Sequence, residues 1–156
     1  MKTRRTWQQK FDDANAKGLP RVITLGTPPA TQTCIIPAPR EVDALMRTIP
    51  EGKLTTINAL RTALAKKHNT DIACPITTGI FAWIAAHVAA EAESAGKKRV
   101  TPYWRTLKLN GELNARYPDG IANLTRRLRA EGHKVIQRGK RFFVKDHQLA
   151  IATLKG

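Results

Sequence analysis

Apolar residues recur along this chain mostly at helical spacing and at the end at strand spacing, with prolines and glycines marking the changes. Residues 6–17 place Trp7 and Phe11 on one face ahead of Gly18, which predicts a short helix. Leu19-Pro20 breaks it, and Arg21–Leu25 reads as a brief strand. Pro28, Pro29, Pro37 and Pro39 then predict an extended connection over residues 26–40, wrapped on the domain surface. From Pro39 onward, Val42, Leu45, Met46 and Ile49 form one apolar stripe, and Pro50 closes that helix. Glu51-Gly52-Lys53 is a turn. Thr55 or Thr56 caps a second helix that buries Ile57, Leu60 and Leu64, carries Lys66 and Lys67 near its end and stops at His68-Asn69-Thr70.

Thr70 or Asp71 is placed to cap a third, longer helix from Pro75 to Ser94, stopped by Gly96. Its expected core stripe is Ile76, Ile80, Trp83, Ile84 and Val88. The opposite side is small: Thr77, Thr78, Gly79, Ala82, Ala85, Ala86 and Ala89. Helix, short turn, helix is the arrangement of a helix-turn-helix, whose second helix enters a DNA groove. A small face equally lets two helices approach closely, so ordinary packing is the competing reading. Beyond the basic bridge Lys97-Lys98-Arg99, the stretch Thr101–Gly132 reads as a short aromatic-basic strand, a turn and an amphipathic helix. That helix buries Ile121, Leu124 and Leu128 and directs Arg126, Arg127 and Arg129 elsewhere. Residues 133–145 predict a hairpin turning at Arg138-Gly139-Lys140, shaped as a basic wing. Leu149, Ile151 and Leu154 are expected to dock as a last short element. The fold class is therefore mainly α with a small β hairpin, a winged helix-turn-helix. Residues 1–38 are expected as an N-terminal extension packed on a DNA-binding domain over residues 39–156.

Charge points the same way. The 156 residues hold 27 Lys and Arg against 12 Asp and Glu, a net +15. Residues 97–156 carry 15 basic and 4 acidic side chains, whereas residues 49–96 carry 4 of each. A neutral helical middle beside a basic end implies a polyanionic partner, DNA or RNA ahead of an acidic membrane or an acidic protein, and with the helix-turn-helix pattern the expected partner is double-stranded DNA. No apolar run approaches the roughly 20 residues that span a bilayer. Met1-Lys2-Thr3-Arg4-Arg5 has no hydrophobic region behind it, so a cytoplasmic, nucleoid-associated location is expected and a membrane partner is not.

From about Ile49 to Gly132 the order of signals resembles the DNA-binding domain of the alkylguanine-DNA alkyltransferases and the alkyltransferase-like proteins. Ile49-Pro50-Glu51-Gly52-Lys53-Leu54-Thr55-Thr56 is similar to the family's Ile-Pro-x-Gly-Lys-Val-x-Thr. Thr78-Gly79 falls at the recognition helix's Val-Gly, and Pro102 and Arg105 keep the ends of the reactive Pro-Cys-His-Arg-Val. Asn110-Gly111, Tyr117, Gly120 and Glu131-Gly132 follow in the family's order. The resemblance implies a winged helix-turn-helix that docks its recognition helix in the minor groove. Family chemistry moves an alkyl group from guanine to a thiolate relayed through histidine, water and glutamate. Here Tyr103 stands at the cysteine position and Trp104 at the histidine position, and only Glu131 remains. A phenol of pKa near 10 and an indole without a titratable base cannot run that transfer, so no catalytic residue is expected. The base-flipping arginine aligns near Ile76, and the tyrosine that rotates the target phosphate aligns at Ile57.

The leading expectation is a non-enzymatic DNA-binding protein of the alkyltransferase-like type, recognising alkylated or distorted DNA in repair. A winged-helix regulator or nucleoid-type protein with no role in damage is the alternative, and an enzyme using Cys74 is a third class. Candidate DNA contacts are Thr77, Thr78, Gly79 and Ala82 on the recognition helix. The candidate cations are Lys97, Lys98, Arg99, Arg105, Arg126, Arg127, Arg129, Arg138, Lys140 and Arg141. Tyr103, Trp104 and Tyr117 are candidates for a base pocket, with core packing as the competing reading for Tyr103 and Trp104. Glu131 is expected to pair with an arginine of its own helix rather than to act as an acid. Cys74 at a helix N-terminus is either a displaced nucleophile or a small buried residue. Cys34, His68, His87, His133 and His147 lack metal-ligand spacing, so neither metal nor cofactor is expected.

Overall fold

The computed structural model describes residues 4–154, so Met1, Lys2 and Thr3 of the expected N-terminal extension lie outside the described residues. The organising element is α4 (Pro75–Ser94), with α1 (Trp7–Asn15), α2 (Pro39–Arg47) and α3 (Ile57–Lys67) packed on it. α1 starts with a capping box between Thr6 and Gln9. Its first N–H groups donate to Glu91 of α4, Trp7 at 3.0 Å and Gln8 at 3.2 Å, so an acidic side chain holds a helix N-terminus. α2 begins at Pro39 and α3 is capped by the Thr56 hydroxyl, which accepts from the Ala59 N–H at 3.1 Å.

A buried carboxylate joins α2 to α3. Glu41 accepts from the Ala38 N–H at 3.0 Å and meets His68 Nε2 at 2.6 Å and Lys67 Nζ at 2.8 Å. Burial pushes its pKa up, but the bonds from Lys67, Ala38 and His68 outweigh that and hold it below the usual carboxylate range.

The orientation of α4 departs from the expected one in its first turns, while Ile84 is buried and Trp83 and Val88 pack against the core as expected. Thr78, Phe81, Ala82, Ile84, Ala85, Ala86 and Ala89 are buried, whereas Ile76 is 69% and Ile80 44% exposed. The small face is the packing face, because side chains of this size let α2 come close. Val42, Met46, Leu60 and Leu64 supply the bulk on the other side of the contact. Thr70 and Asp71 do not cap α4; Cys74 occupies that position. Asp71 instead accepts from the Thr33 N–H at 2.8 Å and its hydroxyl at 3.0 Å.

The N-terminal segment holds more regular structure than its prolines suggest. β1 (Arg21–Thr27) and β2 (Ala30–Ile36) pair antiparallel from Arg21↔Ile36 to Thr27↔Ala30, and Pro28-Pro29 form the two-residue link. The expected extended connection is thus largely a strand, rich in β-branched residues between its prolines. β2 pairs in parallel with β4 (Ile72–Ala73), joining Cys34 to Ile72 and Ile35 to Ala73, and so ties the hairpin to the connection between α3 and α4.

The expected aromatic-basic strand is also different. Tyr103–Arg105 form a 3-10 turn initiated at Pro102, and only Thr106–Leu107 extend, as β5, in parallel with β3 (Thr55–Thr56). Gly111 has φ of +81°, and a Cβ there would lie 2.5 Å from His147 Nδ1, so this turn requires glycine twice over. α5 (Gly120–Ala130) buries Leu124 and Leu128. β6 (Val135–Arg138) and β7 (Arg141–Val144) form the C-terminal hairpin with Gly139-Lys140 at its tip. The last described residues dock by backbone: the Leu54 N–H donates to Ala150 at 2.9 Å and the Ala152 N–H to Leu54 at 2.8 Å. Leu149, expected to dock, is 84% exposed.

Candidate functional site

Around Glu131, which follows the last turn of α5, the family-like residues form a closed polar knot. Trp104 Nε1 donates to Glu131 Oε2 at 2.7 Å. Arg105 forks onto the same carboxylate, with Nε to Oε1 at 2.9 Å and Nη2 to Oε2 at 2.8 Å, and its Nη1 donates to the Ile49 carbonyl at 2.7 Å. The Gly52 N–H completes the set at 3.2 Å. Burial raises the Glu131 pKa, but Arg105, Trp104 and Gly52 outweigh it and hold the carboxyl below its ordinary range. The arginine partner therefore comes from the 3-10 turn and not from the glutamate's own helix. With its oxygens occupied, Glu131 is a fixed anion that joins three segments and has no free lone pair aimed at a ligand.

Tyr103 lies beside this knot. Its hydroxyl accepts from Asn123 Nδ2 at 3.0 Å, and Asn123 Oδ1 accepts from Arg126 Nη2 at 2.8 Å and Arg127 Nε at 3.1 Å. Arg127 also donates to Glu93 Oε1 of α4 at 2.7 Å and lies over the Trp104 ring, 4.4 Å from its centroid. Burial pushes both tyrosine hydroxyls up, more so in Tyr117, and neither phenol ionises near neutral pH. The base pocket expected from Tyr103, Trp104 and Tyr117 is corrected accordingly. Tyr103 is 0% and Tyr117 3% exposed, their rings pack edge to face, and Arg127 covers Trp104. The two tyrosines are core residues.

The cations divide into two sets. Arg105 is consumed by Glu131, Arg127 by Glu93 and Asn123, and Arg141 by Glu112 at 2.6 Å. The first two are internal struts rather than open contacts, because each guanidinium is partly buried and already bonded to acceptors within the fold. Lys97, Lys98, Arg99, Arg129, Arg138 and Lys140 are exposed, as is Arg126 despite its bond to Asn123. Arg138 and Arg141 flank the Phe143 ring at 5.7 and 5.2 Å beside a cleft of about 610 Å³.

On α4 the expected contact face is corrected in part. Thr78 and Ala82 are fully buried, and Thr78 donates its hydroxyl to the Cys74 carbonyl at 2.7 Å, so neither reaches a partner. Thr77 is half-buried. Gly79 remains at the surface, in the floor of a cleft of about 450 Å³ lined by Ile76, Ile80, Trp83, Asn114 and Arg116. Sequence reasoning passes over Arg116, although its place between Asn114 and Tyr117 in the turn before α5 marks it as a surface cation. Its carbonyl accepts from Trp83 Nε1 at 3.1 Å and faces His87 Nε2 at 3.2 Å, which fixes that turn against α4.

Cys74 precedes Pro75 at the start of α4 and is half-buried. Burial raises its pKa, but the Thr77 hydroxyl and the Thr77 and Ile76 N–H groups outweigh that, with help from Arg61, and lower it. Cys34 is buried, and both burial and the neighbouring Cys74 push its thiol up. Among the described residues no group of three or more His, Cys, Asp or Glu side chains is placed to hold a metal ion, and no helix is long and apolar enough to cross a membrane.

No family model matches the chain, and no curated protein matches it. Two solved structures are similar to it. One is S. pombe Atl1 in complex with damaged DNA containing O6-carboxymethylguanine, with 16% identity and a TM-score of 0.52 over 74% of this chain and 94% of that one. The other is S. pombe ATL in complex with DNA, with 18% identity, the same TM-score and the same coverage. The resemblance first carried by Ile49-Pro50, Pro102, Arg105 and Glu131-Gly132 thus extends to the arrangement of helices and small sheets: this chain has the fold of the alkyltransferase-like proteins.

Proposed function

We propose that the protein is a non-enzymatic DNA-binding protein of the alkyltransferase-like type, acting on duplex DNA in the cytoplasm. The observation that carries this reading is the shared fold with two solved structures that contain DNA, in a chain of net +15. Lys97, Lys98 and Arg99, Arg126 and Arg129, and Arg138 and Lys140 supply the phosphate contacts, with the β6–β7 hairpin as a basic wing. Residues 39–156 form the DNA-binding unit, and residues 1–38 extend it through α1 and β2. The chemistry at Tyr103, Trp104 and Glu131 supports a role without catalysis: the phenol stays protonated, the indole only donates, and the carboxylate is saturated.

Fluorescence anisotropy with matched duplexes, with and without O6-alkylguanine, across a salt series tests this. Tight binding with a steep salt slope is the expected result, and no binding at low salt overturns it. Intact mass after incubation with the alkylated duplex checks the absence of transfer, since an added alkyl mass on Cys34 or Cys74 contradicts a non-enzymatic role.

A further inference from the structure

The β1–β2 hairpin leaves one whole strand edge without a partner. In the sheet order β1-β2-β4, β1 is the outermost strand. Its pairing with β2 uses the N–H and C=O groups of alternate residues, so the groups between them point away from the sheet. Among the described residues, no backbone hydrogen bond from outside the hairpin reaches Arg21–Thr27. Six of the seven residues are exposed, with Val22 at 51% and Leu25 at 39%. Folded chains commonly blunt such an edge with lysine, proline or a bulge. β1 holds no lysine and no proline, and its register with β2 runs unbroken. Its charge also sets it apart. From Val22 to Pro39 the chain runs 18 residues without a charged side chain, although it holds 27 Lys and Arg in all.

We infer that β1 is a self-association edge, and that two copies of this chain pair their β1 strands antiparallel across a twofold axis at Thr24. Charge selects the occupant. A duplex needs cations that follow its phosphates, and this segment has none past Arg21. An acidic peptide meets the same lack. Two copies of net +15 repel each other over most of their surface, and the neutral hairpin is where they approach at least cost. The register is also self-complementary. With Thr24 opposite Thr24, Ile23 lies opposite Leu25 of the second copy, Val22 opposite Gly26 and Arg21 opposite Thr27. No like charges meet, and an apolar pair forms on each side of the axis. The product is one continuous sheet in the order β4-β2-β1-β1-β2-β4, in which neither copy keeps an open β1 edge. A single strand pair buries less than a standard interface of about 1,600 Å², so association in the micromolar range or weaker is expected.

The inference stands apart from the DNA-binding reading, and its test contains no DNA. Sedimentation velocity of the full-length protein across a concentration series is expected to show a monomer–dimer equilibrium. Added salt strengthens it, because the repulsion between the two copies is screened. Thr24→Lys, at an exposed position, sets like charges across the axis and weakens the dimer by about tenfold or more, while the circular dichroism and melting temperature of the monomer stay unchanged. Thr24→Glu alone has the same effect. Mixing the two variants restores the dimer, because opposite charges then meet at the axis. Amide hydrogen exchange of the wild-type protein supplies a readout free of any substitution: protection of Arg21–Thr27 rises with concentration, and protection of β6 and β7 does not. A monomer at every concentration, a dimer that Thr24→Lys leaves intact, mixed variants that stay apart, or β1 protection independent of concentration would each overturn the pairing.

Discussion

The indole N–H of Trp104 and the carboxylate of Glu131 meet at 2.7 Å, so the residue at the family's histidine position and its glutamate are still joined, but by a bond that moves no proton. The same carboxylate holds Arg105, whose side chain is only 14% exposed. Glu131→Ala leaves that guanidinium buried and unpaired and is expected to destabilise the protein by about 3 kcal/mol. Trp104→Phe, which removes one charge-assisted bond, costs about 1.5 kcal/mol. Urea denaturation followed by far-ultraviolet circular dichroism measures both, and equal effects would show that the bidentate pair adds nothing beyond the indole bond.

Carboxylates held by partners inside the fold make acid a specific stress. Glu41 and Glu131 have folded pKa values below the ordinary 4.5. The stability each contributes is complete above the unfolded pKa and is lost as pH falls through the folded one. His87 and His133 are held below their ordinary 6.5, largely by burial, so their contribution is likewise present above that value and declines beneath it. A plot of denaturation midpoint against pH is expected to be flat near neutrality, to sag below 6.5 and to fall steeply below 4.5. His87→Gln removes part of the sag and leaves the steep limb in place.

Exposed and internal cations separate by salt dependence. Replacing Lys97, Lys98 and Arg99 with alanine together should lower the slope of log K against log salt by about 0.9 for each phosphate that is no longer neutralised. These side chains are exposed, so the melting temperature should barely move. Arg105→Lys should do the reverse, because a lysine cannot reproduce the fork on Glu131. A lowered slope from Arg105→Lys at unchanged stability would contradict the internal role.

The two thiols should differ in reactivity. Cys74 is half-buried with its pKa lowered by Thr77 and the Ile76 N–H, while Cys34 is buried with its pKa raised. Iodoacetamide at neutral pH is expected to label Cys74 first, and peptide mapping checks the order. Labelling of Cys34 in step with Cys74 would mean that β2 opens readily.

The helices are legible because their punctuation is local: Pro39 and Pro50 around α2, Thr56 before α3, and Pro75 and Gly96 around α4. Which way α4 faces is not. Its residues are apolar almost all round, and side-chain size favours Ile76 and Ile80 over the alanines as core, whereas packing against α2 requires the small side. β2 is hidden by flanking prolines that in fact only turn the chain at its two ends. The pairing of Arg105 with Glu131, and of Arg127 with Glu93, joins residues 26 and 34 positions apart, and no periodicity reports such distances. Two arginines that resemble DNA contacts in the sequence are internal struts for this reason.

The parallel pairing of β2 with β4 has a kinetic meaning. Thr33 and Asp71, bonded at 2.8 Å, are 38 residues apart, and α2 and α3 lie between them. Closing so long a loop costs entropy that only the packed helices offset. The hairpin is therefore expected to join late in folding, after α2, α3 and α4 have formed the surface that receives Ile35. Substitutions in β2 should accelerate unfolding and leave the folding rate nearly unchanged, so this strand governs how long the native state lasts rather than how quickly it is reached.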